Sequence, residues 1–197
     1  MFSNDSNDNI QVMIDILYRI DVSIFYFINK TIANPATDFL MPFITELNHW
    51  KIFYAIMFLY LLIGAGKRGR IVAIGLILLV AASDQISSNL IKNTIERIRP
   101  CNILPDVRLL VGCTQSFSFP SSHAVNNFAG AVFLSHFYPK FSISFYIGAF
   151  LMAISRVFVG VHYPSDVFFG TIIGISIGML FVFLWDSLNK KYKTLKN

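Results

Sequence analysis

The chain has 197 residues, 55% of them hydrophobic and only 14% charged, with a mean hydropathy of +0.60. Soluble domains carry about 25% charged residues, so this composition argues against a water-soluble protein and for a single integral membrane domain. The net charge of +5 does not indicate a nucleic-acid partner: Lys67, Arg68 and Arg70 separate two apolar runs, and Lys190, Lys191, Lys193 and Lys196 follow the last one.

The N-terminus lacks a cationic start, an apolar stretch and a small-residue cleavage site, so it is expected to be retained. Over residues 10–31, Ile10, Met13, Ile14, Leu17, Ile20, Ile24, Phe27 and Ile28 recur at helical spacing. Gln11, Asp15, Arg19, Asn29 and Lys30 fall mostly on the other side. That pattern predicts an amphipathic helix lying in the membrane interface. Asn34-Pro35 ends it, and residues 36–48 read as a second short helix that tucks into the bundle.

Apolar runs at 50–66, 71–91, 122–138, 141–159 and 164–185 then approach or reach the length needed to cross about 30 Å of hydrocarbon at about 1.5 Å per residue. Trp50 and Trp185 mark segment ends. The expected fold is therefore all-α. It is an integral membrane helical bundle of five to six transmembrane helices with an N-terminal interfacial amphipathic helix, six if the 36–48 region also crosses. One domain covers 1–197: interfacial or re-entrant helices at 10–48, the bundle at 50–185, and a basic cytoplasmic tail at 186–197.

The loop at 67–70, the turn holding Lys140 and the basic tail alternate to one side, which the positive-inside rule makes cytoplasmic. The N-terminal segment, acid-rich through Asp5, Asp8, Asp15 and Asp21, then faces outward with the loops at 92–121 and 157–164. Cys101 and Cys113 share the outer loop, where an oxidising compartment would let them form a disulfide. No histidine lies between them and there is no second cysteine pair, so they do not read as a metal site.

Alternating spans bring three distant groups to the same outer face. Lys92 and Arg99 follow the second span, Ser121, Ser122 and His123 open the third, Arg156 closes the fourth, and His162 and Asp166 open the fifth. Lys92, Arg99 and Arg156 suit a polyanion, and the planar arginine fork suits phosphate oxygens. Pro120 and Ser121 begin a helix whose free amides and dipole favour an anion, with Ser121 as its N-cap. Asp166, four residues after His162, can accept from one ring nitrogen and leave the other as nucleophile or base. His123 is a second imidazole, able to protonate a leaving oxygen. Together these residues suit phosphoryl transfer without a metal or cofactor.

The stretches KNTIERIRP (92–100), PSSH (120–123) and SRVFVGVHYPSD (155–166) resemble the three signature motifs of the type 2 phosphatidic acid phosphatase and vanadium haloperoxidase superfamily. Spacing within each motif agrees. One position departs, with Ser122 where the family pattern has glycine; its hydroxyl is expected either to add a donor or to crowd the phosphate slightly. The resemblance implies that Lys92, Arg99, Arg156, Ser121 and the amide of Ser122 hold phosphate. It implies that His162 attacks phosphorus, oriented by Asp166, and that His123 protonates the leaving group and then activates water.

It also implies a bacterial inner-membrane lipid phosphatase acting at the periplasmic face, closest in pattern to the lipid A 1-phosphatase and undecaprenyl diphosphate phosphatase branch. Phosphatidylglycerophosphate and phosphatidic acid are alternative substrates. A vanadium-dependent haloperoxidase and a non-enzymatic phospholipid or anion transporter are the rival classes. The expected partners are the lipid phosphate and membrane lipids, with no nucleic acid.

Residues off the motifs have plainer readings. Glu96, Arg97 and Arg108 are expected to be solvated, with a headgroup contact as the alternative for Arg108, and His49 and His136 to be interfacial. Asp84, Ser83, Gln85, Ser87 and Ser88 lie inside the second span and are expected to form interhelical hydrogen bonds. Gly170, Gly174 and Gly178 recur every four residues, which suggests close helix packing within the monomer or in a homodimer.

Overall fold

The computed structural model describes residues 4–194, with side chains described for 8–191. The Asp5 and Lys193 side chains and all of Lys196 therefore lie outside the described residues. Helix α1 (Asn4–Tyr26) runs on through a π-helical turn, Phe27–Thr31. The chain then breaks at Asn34, whose Oδ1 accepts from the amides of Ala36 and Thr37 while Thr37 Oγ1 accepts from the Asn34 amide. This reciprocal cap, with Pro35 at the first helical position, starts α2 (Pro35–Thr45).

Helices α3 (Leu47–Ile63) and α4 (Gly66–Asp84) follow. A π-helical segment, Gln85–Ile91, carries α4 into α5 (Lys92–Ile95). The chain turns at Glu96 in the left-handed region, φ 51°, and a short α6 (Pro100–Ile103) leads into the 104–121 loop. Helix α7 (Ser122–Phe137), a 3-10 turn at Pro139–Phe141, α8 (Ser142–Phe158) and α9 (Pro164–Thr194) complete the chain. There is no strand among the described residues.

Among the described residues three helical stretches are long and apolar enough to cross a membrane: Gly66–Ile103, Pro139–Phe158 and Pro164–Lys191. The expected spans at 50–66 and 122–138 are α3 and α7, of 17 and 16 residues. At about 1.5 Å per residue each is about 25 Å long, short of about 30 Å of hydrocarbon. Helix α7 is the central element, packed against α4, α8 and α9. Its residues divide between two cores: Ala124, Phe128 and Ala131 join α8, whereas Val125, Ala129 and Phe133 join α4.

The glycine ladder of α9 explains how closely α7 and α9 approach. A Cβ on Gly174 would lie 2.4 Å from the Val125 carbonyl oxygen, and one on Gly170 would lie 2.9 Å from that of Ser121. The ladder thus serves packing within the chain. Gly160 is required for a different reason. Its φ is +87°, and a Cβ there would sit 2.7 Å from the Arg108 carbonyl oxygen, where the 104–110 strand of loop crosses the turn after α8.

Helix α1 reverses part of its expected arrangement. Ile10, Met13, Ile14, Leu17, Ile20, Ile24 and Phe27 are exposed, and the residues turned to the bundle are Asp21, Phe25 and Asn29. Asn29, assigned above to the solvent side, is fully buried. It donates to the carbonyls of Arg108 and Phe158 and accepts from the Arg108 amide. Arg108 is likewise not simply solvated: it donates to the Asn29 carbonyl and pairs with Asp38. His49 stacks on Phe43, and His136 lies 3.3 Å from Asp186.

Candidate active site

The ends of α5, α7, α8 and α9 meet, and the loop before α7 closes over them. Lys92 is buried at the start of α5 and donates to the Phe117 carbonyl at 2.8 Å. Arg99, also buried, is held in four places. Its Nε donates to Ser116 O and its Nη2 to Ser116 Oγ, while Nη1 reaches both Val161 O and His162 Nε2 at 3.0 Å. Arg156 comes from the last turn of α8, and its Nη1 donates to Thr45 Oγ1 at the end of α2. His123, in the first turn of α7, lies within electrostatic reach of the Arg156, Lys92 and Arg99 cations and of the His162 imidazole.

The turn after α8 fixes the second imidazole. His162 is 2% exposed, with Nδ1 3.4 Å from Asp166 Oδ2 and Nε2 facing the Arg99 guanidinium. An arginine can only donate, so Nε2 accepts and the proton sits on Nδ1 toward the carboxylate. Burial pushes the His162 pKa down to about 3, against the opposing pull of Asp166. The ring is thus neutral at physiological pH, with its lone pair on Nε2 engaged by Arg99. Asp166 is fully buried and accepts from Arg97 Nη1, Ser118 Oγ and the Tyr163 amide besides His162.

Two donors in this cluster, Ser121 Oγ and Arg156 Nε, are buried without a hydrogen-bond partner among the described residues. A buried, unpaired donor costs about 1–3 kcal/mol, so both suit an anion that supplies acceptors. Helix α7 adds more donors. Its first intrahelical bond runs from Val125 to Ser121, leaving the amides of Ser122, His123 and Ala124 without an intrahelical acceptor. Ser121 sits at the N-cap position with no side-chain cap, and its amide donates to the Asp166 carbonyl, tying α7 to α9. Among the described residues no group of three or more His, Cys, Asp or Glu could hold a metal ion.

Ser122 neither stands as a free donor nor crowds the cradle. Its Oγ lies 3.0 Å from Ser88 Oγ and 3.4 Å from Ser87 Oγ on the π-helical segment. Ser83, at the end of α4, bonds Asn126 at 2.6 Å, so polar residues of the second span do join α7, whereas the Asp84 carboxylate accepts from Ser88, one turn further along the same span. Ser122→Gly is expected to lower the unfolding free energy by about 1 kcal/mol, one hydrogen bond's worth. Vanadate affinity, measured as a phosphate mimic by calorimetry, should stay within about threefold because the amide is retained.

All eight residues singled out for catalysis or phosphate binding lie in this region, and Cys101 and Cys113 are bonded to each other in the adjoining loop. Other residues were missed. Arg97, expected to be solvated, is ion-paired at 2.6 Å to both Asp166 and Asp21, and its guanidinium lies 3.9 Å from the Tyr163 ring centroid. Asp21, Thr45, Ser116 and Ser118 carry no motif signal. Asp21 meets Ser165 across 144 positions and Thr45 meets Arg156 across 111, each more than half of the sequence.

The PAP2 superfamily pattern matches residues 73–190. Lipid A 4'-phosphatase of Bacteroides thetaiotaomicron is 30% identical over 190 residues, covering 92% of this chain and 84% of the relative. The solved PAP2-type phosphatidylglycerolphosphate phosphatase of Bacillus subtilis superimposes with a TM-score of 0.66 at 26% identity, covering 87% of each chain. The LpxE structure of Aquifex aeolicus gives 0.63 at 25% identity, covering 83% of this chain and 94% of that one. With its pattern matched across the bundle that carries the cations and both imidazoles, the chain belongs to the PAP2 superfamily.

Proposed function

We propose that this membrane protein is a metal-independent lipid phosphatase that removes the terminal phosphate of a lipid phosphate or diphosphate through a phosphohistidine. The observation that carries the reading is the convergence of Lys92, Arg99 and Arg156 with two imidazoles beside the unpaired donors Ser121 Oγ and Arg156 Nε. In the proposed reaction the phosphate oxygens take over donors of Arg99 and Arg156 and free His162 Nε2. Its lone pair forms the N–P bond as the bond to the leaving oxygen breaks, and His123 supplies that oxygen's proton. The imidazole becomes cationic on attack, and Asp166 at Nδ1 compensates the charge. Water then attacks phosphorus, His123 takes its proton, and inorganic phosphate departs with His162 neutral again.

Lipid A phosphate and undecaprenyl diphosphate are the proposed substrates, and the name of the Bacteroides relative supports the first. The proposed topology is five or six spans in a bacterial inner membrane, with the site on the periplasmic side as the basic flanks indicate.

The test is phosphate release by purified protein in detergent with EDTA. The panel covers lipid A phosphorylated at either end, undecaprenyl diphosphate, phosphatidylglycerophosphate and phosphatidic acid. Release from at least one lipid, unaffected by the chelator and competitively inhibited by vanadate, is expected. Release from none, or only with added metal, overturns the reading.

A further inference from the structure

We propose that Arg97 and Asp21 are positioning residues for the His162–Asp166 pair, so that helix α1 completes the active site it was expected only to flank. The inference rests on the phosphatase reading and assigns to it residues outside the three motifs.

Arg97 spans two carboxylates. Its Nη1 donates at 2.6 Å to Asp166 Oδ1 and also to Ser165 Oγ, and its Nη2 donates at 2.6 Å to Asp21 Oδ2. The Oδ1 that Arg97 grips is not the oxygen facing His162. Oδ2 takes His162 Nδ1, Ser118 Oγ and the Tyr163 amide. Arg97 therefore fixes the rotation of the carboxylate about its own axis while leaving the imidazole's acceptor free. Ser118 and the Tyr163 amide alone would hold one oxygen and let the other swing.

Helix α1 anchors the other end of this bridge. Asp21 Oδ1 accepts the Ser165 amide at 2.9 Å, so an acid from α1 caps the first turn of α9, the turn that carries Asp166. Tyr18 and Phe25 of the same helix meet the Tyr163 ring, with centroids 6.1 and 5.9 Å away, and Arg97 stacks on that ring. Residues 18, 21 and 25 share one helical face. That face holds Tyr163 and Ser165, between His162 and Asp166, and among the described residues Asp21 bonds none of Lys92, Arg99, Arg156 or His123. The contribution should therefore fall on the orientation of His162 and not on the grip on phosphate.

The test compares kcat, KM and vanadate inhibition in Arg97→Gln, Arg97→Lys, Asp21→Asn and the Asp21→Asn/Arg97→Gln double variant, each with its melting temperature. Arg97→Gln is expected to lower kcat roughly 10–100-fold, the usual cost of losing a partner that orients a functional imidazole, with KM and the vanadate inhibition constant within about threefold. Arg97→Lys should recover part of the loss, since one ammonium can serve one carboxylate. Asp21→Asn should lower kcat by less, and should add nothing in the Arg97→Gln background, because Asp21 acts through Arg97.

Equal kcat in Arg97→Gln and wild type overturns the inference. So does a parallel fall of kcat and vanadate affinity, or a loss proportional to melting temperature across the four variants, since each marks a merely structural bridge. A wild-type protein that releases phosphate from no lipid overturns the phosphatase reading itself, a distinct failure.

Discussion

His162→Ala is expected to reduce lipid phosphate release at least about 10⁴-fold, because covalent catalysis loses its attacking atom and not merely an orienting contact. The imidazole is the group whose surroundings are most specialised. It is buried to 2% exposure, holds its proton toward a fully buried carboxylate, and turns its Nε2 lone pair to the arginine that would grip the phosphate. Burial holds its pKa near 3, so the ring carries no competing proton at any pH where a phosphate ester is dianionic. An imidazolium there could not attack.

Reactions with 32P-labelled substrate, quenched in alkaline detergent because a phosphoramidate survives alkali and is lost in acid, discriminate the two roles left open by the spacing of His162 and Asp166. A nucleophile traps label on the wild-type chain and none on His162→Ala. A general base traps none on either, and that result would remove the phosphohistidine from the mechanism.

The cations and imidazoles of the site were legible in the sequence because chemistry restricts such groups to a few residue types, and because alternating helices bring every second end to one face. Lys92, Arg99, Arg156, His123 and His162 followed from those two constraints. Their supports did not, for identifiable reasons. Arg97 sits two residues before Arg99 in a loop, where periodicity carries no information, and its partners lie 76 and 69 positions away. Asp21 read as one more acid on a helix whose apolar stripe is conspicuous. In the structure the stripe is exposed and the face bearing Asp21, Phe25 and Asn29 is buried, where both polar side chains find hydrogen-bond partners in the bundle.

The spacing of Tyr18, Asp21 and Phe25 was a usable signal: an acid flanked at helical intervals by aromatics on a face otherwise polar. Helix α7 shows a different limit. Its boundaries were close to those expected, yet hydropathy cannot tell a helix buried among protein neighbours from one facing lipid, because both are apolar all round. The π-helical segment at Gln85–Ile91, which brings both Ser87 and Ser88 to Ser122, has no sequence rule to announce it.

His123→Ala is expected to cost roughly 10²–10⁴-fold in kcat on a lipid phosphate, the usual range for a general acid–base group. The loss should depend on the leaving group, which separates this residue from the phosphate-binding cations. A lipid alkoxide or sugar oxygen needs its proton in the transition state; p-nitrophenolate does not. Formation of the phosphoenzyme from p-nitrophenyl phosphate should therefore be nearly as fast in His123→Ala as in wild type, whereas its hydrolysis, which needs a base for water, should remain slow. Stopped-flow release of nitrophenolate should accordingly show a burst in the variant followed by a slow steady state.

Arg156→Lys is the control. It leaves both imidazoles in place but replaces a planar fork, whose Nη1 is already committed to Thr45 and whose Nε is unpaired, by a point charge. Its deficit should be the same for both leaving groups, because the charge on the transferring phosphoryl oxygens is common to them. A His123→Ala deficit equally indifferent to the leaving group would place His123 among the groups that bind phosphate and leave the proton of the departing oxygen to solvent.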